Sequence, residues 1–476
     1  MNHSNQQLRI ILSGLILALV CTASVVQAQT QEEFKPGAVI DKVVSASDQT
    51  KSYALYLPTT YTTSRRFPIL YCFDPVARGA VPVARFKEAA EKYEYIVVGS
   101  NNSRNGPNQP LIEIVRNLWE DTHTRFSIDD RRVYLAGMSG GARVALGVSF
   151  WLKDKVAGVI ACAAGYPPDI PANTPRSFVL LAVTGTDDFN NPELQTLVRK
   201  LEGSTPPVRL AVFEGGHTWL PAELATDALQ WLEVQAMKAG TRERNTNLIN
   251  AMFEQASSQA LAAQASGDKY RAFRLYSGIV QDFSGLHEVT EVESKAKELR
   301  ASKEISEALK QEKKIEEEQA RRVQSIHLLI ANLSRTDEEF DHLAVLKGEL
   351  RSQREAAKAT EPSIKRTVAR RVIESLFIEF VERGNLAIAR KDYEGAVTAY
   401  SMCTEIQPDN ARTFYNLARA HALSGSRSKA LAALKTAADK GFTGAQELTA
   451  KEFDDVQTDK RFKEILDLVR KNQSGQ

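Results

Sequence analysis

Three short stretches of this 476-residue chain hold residue types that can do chemistry together. The first is Gly137-Met138-Ser139-Gly140-Gly141, which follows an apolar β run, Val133 to Ala136, and leads at once into an Ala/Val/Leu-rich helical pattern. A G-x-S-x-G motif requires that context of strand, sharp turn and helix. The flanking glycines have no Cβ, so strand and helix can approach closely around a strained serine. The hydroxyl of Ser139 then stands above a sheet edge, and the helix N-terminus behind it favours developing negative charge. A serine hydroxyl is a weak nucleophile until a base takes its proton. The second stretch, Glu214-Gly215-Gly216-His217-Thr218-Trp219, offers an imidazole on a loop that two glycines can turn back over the sheet. The third, Thr184-Gly185-Thr186-Asp187-Asp188-Phe189-Asn190, offers a carboxylate to fix the imidazole's tautomer and stabilise the imidazolium.

Between residues 38 and 238 the elements that must position these loops alternate between strand and helix. Apolar β-rich runs predict strands at 38–44, 53–57, 69–73, 95–99, 133–136, 156–161, 178–183 and 208–213. Helical patterns at 83–92, 112–125, 142–151, 193–201 and 219–237 lie among them. Such alternation predicts a mostly parallel sheet covered on both faces. Eight strands with the serine turn after the fifth resemble the α/β-hydrolase fold from end to end. Within that resemblance the closest likeness is to secreted serine esterases of the polyhydroxybutyrate-depolymerase and feruloyl-esterase type. Gly137 to Gly141, the preceding Asp129-Asp130-Arg131-Arg132-Val133-Tyr134, and Gly216-His217 carry it.

The resemblance implies the order serine, acid, histidine, which Ser139, the aspartate pair and His217 follow. It favours Asp188 over Asp187, because Asp188 stands three residues after Gly185 as in similar esterases. It implies an oxyanion hole from the Gly140 N–H and one N–H of the loop after the third strand. Many relatives begin that loop with His-Gly, whereas this chain has Asp74-Pro75, and proline has no N–H to give. Val76 is then the expected second donor. Residues 100–107 would rim the site as a polar loop. Only about a dozen residues, 165–176, join the sixth strand to the seventh, where lids of this fold are usually inserted; an open, shallow site is expected, preferring short or soluble esters. The fold would also set the fifth strand between Cys72 and Cys162, about 10 Å apart, beyond the ~7 Å reach of a disulfide.

From about residue 240 the strand signals stop. A polar run at 239–247 reads as a linker. Residues 251–283 suggest a helical hairpin with its turn at Gly267-Asp268. Residues 377–410 place Gly384, Ala387, Ala396, Tyr400 and Pro408 where a tetratricopeptide repeat places its small, aromatic and helix-ending residues, and Phe414, Leu417, Ala418, Ala430, Leu434 and Ala437 repeat the pattern about 34 residues on. Residues 453–462 read as the amphipathic ending of such an array. Between the repeat regions, the Glu/Lys-dense stretch Glu291 to Arg322 predicts one long, mostly solvated helix.

At the other end, Arg9, the apolar run Ile10 to Val20 and the small-residue ending Val26-Gln27-Ala28 have the pattern of a secretory signal peptide, with cleavage after Ala28 and no membrane span afterwards. The expected organisation is a signal peptide at 1–28, an α/β-hydrolase domain at 29–238, a linker at 239–247, a helical region at 248–374 and tetratricopeptide repeats with a cap at 375–476, in a periplasmic or secreted protein. A formal net charge of +2 gives no reason to expect a nucleic-acid partner. The four cysteines have no C-x-x-C spacing, so neither a metal nor another cofactor is expected.

These readings converge on an exported serine hydrolase that cleaves carboxylic esters through Ser139, His217 and Asp188, with a repeat module for a protein or peptide partner. The same three residues would serve a thioesterase or peptidase, since they set the mechanism and not the acyl group. From a different class, the alternative is a non-catalytic scaffold carrying a relic hydrolase domain. With the three residues all before 240, each half is expected to own its core.

Overall fold

A computed structural model describes residues 34–106, 109–334 and 342–475; the expected signal peptide lies outside them. The first half is built from β1 (Val39–Val44), β2 (Ser52–Tyr56), β3 (Phe67–Phe73), α1 (Ala80–Tyr93), β4 (Ile96–Ser100), α2 (Leu111–Arg125), β5 (Ile128–Met138), α3 (Gly140–Leu152), β6 (Gly158–Cys162), β7 (Val179–Gly185), α4 (Asn191–Lys200), β8 (Val208–Phe213) and α5 (Ala222–Ala239). The eight strands form one sheet in the order β1-β2-β4-β3-β5-β6-β7-β8. β2 runs antiparallel to both its neighbours and the remaining pairs are parallel. With the serine turn between β5 and α3, this is the α/β-hydrolase fold.

Strand alternation sorts the core into two layers. Leu70, Cys72, Tyr134, Ala136, Ile160 and Leu181 face α1 and α5, while Ile69, Tyr71, Val133, Leu135, Val159 and Leu180 face α2, α3 and α4. β5 begins five residues earlier than its apolar run, because the charged Asp129 to Arg132 are extended too and Ile128 pairs with Phe67. Hydropathy does not mark them, as they lie where the strand is only partly covered. Cys72 and Cys162 are buried free thiols on β3 and β6, with β5 between them.

The second half is helical: α6 (Thr246–Ala265), α7 (Lys269–Phe283), α8 (Thr290–Ala301), α9 (Lys303–Ala331), α10 (His342–Ala357), α11 (Ile364–Ala389), α12 (Tyr393–Ile406), α13 (Ala411–Leu423), α14 (Arg427–Asp439), the single turn α15 (Asp454–Gln457) and α16 (Lys460–Ser474). α6 and α7 form the expected hairpin; Gly267 takes the left-handed turn position and Asp268 caps α7 through the Arg271 N–H. In the pair α11–α12 the small residue of the repeat has a visible purpose. A Cβ on Gly384 would come within 2.5 Å of the Tyr400 ring. α16 closes the array by burying Phe462, Ile465 and Val469.

Two expectations change. The charged stretch 291–322 is two helices, because Ser302 leaves the helical conformation and caps α9. Nor is α9 solvated all round. Gln319 donates to the Phe189 carbonyl at 2.7 Å, and Glu316 accepts from Thr196 and Arg199 on α4 at 3.1 and 3.2 Å. The polar run at 239–247 also fails to separate two cores. One apolar cluster runs from the sheet through Trp231 and Leu232 of α5 to Ile249, Tyr276, Phe283, Leu299 and Ile305. Its polar fastening is Asp282, fully buried, which accepts from Trp231 Nε1 at 2.7 Å and pairs with Arg209.

Candidate active site

Ser139 occupies the turn between β5 and α3 with φ 54° and ψ −123°, a conformation that costs a non-glycine residue energy. The surrounding glycines make it possible. A Cβ on Gly137 would lie 2.0 Å from the Gly141 carbonyl oxygen, and one on Gly141 1.9 Å from that of Phe73. The turn is pinned by the Ser139 N–H, which donates to the Cys162 carbonyl at 2.8 Å.

Loops at the C-terminal ends of β7 and β8 complete the constellation. His217 Nε2 lies 2.8 Å from Ser139 Oγ, and its Nδ1 lies 2.9 Å from Asp188 Oδ1. Asp188 is fully buried and accepts from Thr184 Oγ1 at 3.1 Å and from the Asn190 N–H at 2.9 Å. A carboxylate so placed makes Nδ1 the protonated nitrogen, leaving Nε2 free to accept the serine proton. Phe189 stacks on the imidazole with ring centroids 4.2 Å apart. Asp187, the neighbouring acid, turns the other way and pairs with Arg370 of α11 at 2.8 Å.

The oxyanion side differs from expectation. Gly140 N–H has no acceptor among the described residues. Val76 is exposed, but its N–H donates to Asp74 Oδ1 at 3.0 Å and is not held ready for a substrate oxygen. The reason is Asp74 itself. Fully buried, it folds back over its own loop, pairs with Arg78 and accepts from Trp219 Nε1 at 2.9 Å. Burial alone would raise its pKa; the bonds from Arg78, Trp219 and Val76 outweigh that and hold the carboxyl below the usual range. Asp74 therefore ties the β3 loop to the His217 loop.

Residues 163–178 between β6 and β7 form the expected short connector, and the loops of the site also make contacts from far along the chain. Glu374 of α11 accepts from the His217 backbone N–H at 3.1 and 3.2 Å, and Arg371 donates through Nε to the Thr186 carbonyl at 3.0 Å. Glu382, two turns further on, accepts from Asn105 Nδ2 at 2.8 Å. Asn105 belongs to the polar rim loop and lies against Gly140, where a Cβ would touch its amide oxygen. A groove of about 1070 Å³ runs alongside, lined among others by Tyr166, Pro167, Phe189, Val323, His327 and Ser375. The sequence marks none of Arg370, Arg371, Glu374 and Glu382, since only a local motif or period is legible there. Among the described residues no group of three or more His, Cys, Asp or Glu side chains could hold a metal, and no helix is long and apolar enough to cross a membrane.

Residues 384–425 match the TPR repeat family. Among solved structures, the first half is similar to an S-formylglutathione hydrolase from Staphylococcus aureus, at 13% identity and a TM-score of 0.34 over 41% of this chain and 96% of that one. A ferulic acid esterase aligns at 17% identity and a TM-score of 0.34 over 40% and 94%. Est1E from Butyrivibrio proteoclasticus aligns at 13% identity and a TM-score of 0.32 over 41% and 99%. No curated protein matches. Strand order and the serine turn define the fold.

Proposed function

We propose that the protein is an exported serine hydrolase acting on carboxylic esters, with its helical repeats serving a protein or peptide partner. The observation that carries this reading is the unbroken chain from Ser139 Oγ through His217 to Asp188, at 2.8 and 2.9 Å, on a strained serine. In the proposed reaction Ser139 Oγ attacks the ester carbonyl carbon while His217 Nε2 takes the hydroxyl proton. The Gly140 N–H and the α3 N-terminus face the oxyanion. Collapse of the tetrahedral intermediate breaks the C–O bond, and the alcohol leaves with the proton from His217. Water, deprotonated by the same nitrogen, then releases the acid and restores the serine. Short, soluble esters suit a site walled by protein on the α11 side. Removal of residues 1–28 would leave a mature chain beginning at Gln29, which N-terminal sequencing of the exported protein checks. Cross-linking in intact cells should recover a protein partner joined to α12–α14.

The decisive experiment is labelling with a fluorophosphonate, in which Ser139 Oγ bonds to phosphorus and fluoride leaves. Wild type should be labelled and should cleave a chromogenic ester. Ser139→Ala should take no label and lose about 10⁴-fold or more in kcat, by analogy with other serine nucleophiles. A wild-type chain that neither labels nor turns over would leave the scaffold reading.

A further inference from the structure

We propose that α11 is a positioning element of the hydrolytic site, and that Glu374 on it is the positioning residue for His217. The inference rests on the serine-hydrolase reading above and goes beyond it, since it places part of the repeat region inside the working machinery.

The geometry makes the case on three loops at once. Arg370 pairs with Asp187 and Arg371 bonds to the Thr186 carbonyl, so α11 grips the loop that carries Asp188. Glu374 holds the backbone N–H of His217 itself. Glu382 holds Asn105 against Gly140, beside the nucleophile. The His217 loop needs such a hold. Gly215 sits at φ +159° and Gly216 follows, so the chain before the imidazole has little torsional restraint of its own. The imidazole must nevertheless keep two hydrogen bonds of less than 3 Å, and an error of about 1 Å can cost about 10²-fold in rate. Gly216 also leaves room for the carboxylate, since a Cβ there would approach Glu374 Oε1 to 3.2 Å.

Glu374 is an expensive choice for mere packing. It is largely buried, its neighbours include Asp187 and Asp188, and burial pushes its carboxyl above the usual range. A neutral side chain would fill the same space with less strain. Such costs are typically retained where they serve a site. The same helix continues into the repeats: Gly384, ten residues or about 15 Å further on, is the residue packed on Tyr400.

The test uses the full chain, comparing wild type, Glu374→Ala, Glu374→Gln and Glu382→Ala. Steady-state kcat and KM with a chromogenic ester, the rate of fluorophosphonate labelling and the unfolding midpoint are measured for each. Glu374→Ala should lower kcat and the labelling rate together by tenfold or more while KM moves less than threefold. Glu374→Gln, which keeps an oxygen acceptor for the His217 N–H, should recover most of that loss; a residue with a merely structural role would not split kcat from KM in this way. A folded Glu374→Ala chain within threefold of wild type overturns the proposal, as does a Gln variant no better than Ala. Should Glu374→Ala fail to fold, Glu382→Ala decides, because that side chain is exposed: a labelling rate reduced more than threefold supports the proposal and an unchanged one overturns it. A wild-type chain that takes no label brings down the hydrolase reading and this inference with it, whereas a labelled wild type beside an unaffected Glu374→Ala chain brings down the inference alone.

Discussion

Two adjacent aspartates with opposite orientations separate orientation of the base from attachment of the acid's own loop. Asp188 Oδ1 faces His217 Nδ1, while Asp187 faces Arg370. Asp188→Asn should cost about 10⁴ in kcat, as amidating the orienting acid does in other triads. Asp187→Asn should cost about tenfold at most, through the α11 contact; a larger loss than that of Asp188→Asn would reverse the roles. Glu374 gives a prediction in pH. Its folded-state pKa is raised by burial, with Asp187 and Asp188 adding to the effect and His217 opposing it. The folded state therefore holds that proton more tightly than the unfolded chain, and the associated stability is full below the unfolded glutamate value and lost as pH rises through the folded one. Thermal unfolding of Glu374→Gln should match wild type at acid pH and lie above it near neutrality. An offset that shrinks as pH rises would contradict the burial account.

At the scale of elements, single contacts decide how helices seat. Gly384→Ala would drive a methyl into Tyr400, and overpacking of this kind costs about 1–3 kcal/mol. Urea unfolding should show that loss, and the far-UV helical signal should fall first if the repeats melt separately. Asp282 fastens α7 to α5 and β8. Asp282→Ala orphans the buried Trp231 N–H, a loss of about 1–3 kcal/mol, and should lower the midpoint without changing the pH profile of hydrolysis. An unchanged midpoint would mean water replaces the carboxylate without cost.

For the whole molecule, the question is whether the first half can stand alone. A polar linker after α5 suggests that it can. The continuous apolar cluster and the three-loop grip of α11 argue the reverse. A chain ending near Ala239 would expose Trp231, Leu232 and Met237, which are buried in the full protein. It should be recovered poorly, or have kcat/KM for a small ester reduced more than tenfold, equivalent to about 1.4 kcal/mol of transition-state stabilisation. Full activity in that shortened chain would show that the helical half is an appendage.

Local sequence determined what local physics encodes. Alternating apolar runs predict the eight strands, because burial on both faces leaves an uninterrupted hydrophobic signature. The repeats were legible in small residues such as Gly384 and Ala396, which recur with the helix pair that they serve. Ser139, His217 and Asp188 could be singled out because glycines and loop positions mark them, and the structure brings all three within hydrogen-bond distance. Only the tertiary structure decided that Val76 spends its N–H on Asp74, that Arg370, Arg371, Glu374 and Glu382 reach the site from more than 150 residues away in sequence, and that no core boundary falls at 239–247. Each is a pairing of ordinary polar or apolar residues whose neighbours along the chain carry no trace of the partner. Charge and hydropathy say that such a side chain will find a counterpart; only the packing of α11 onto the sheet's loops says which one.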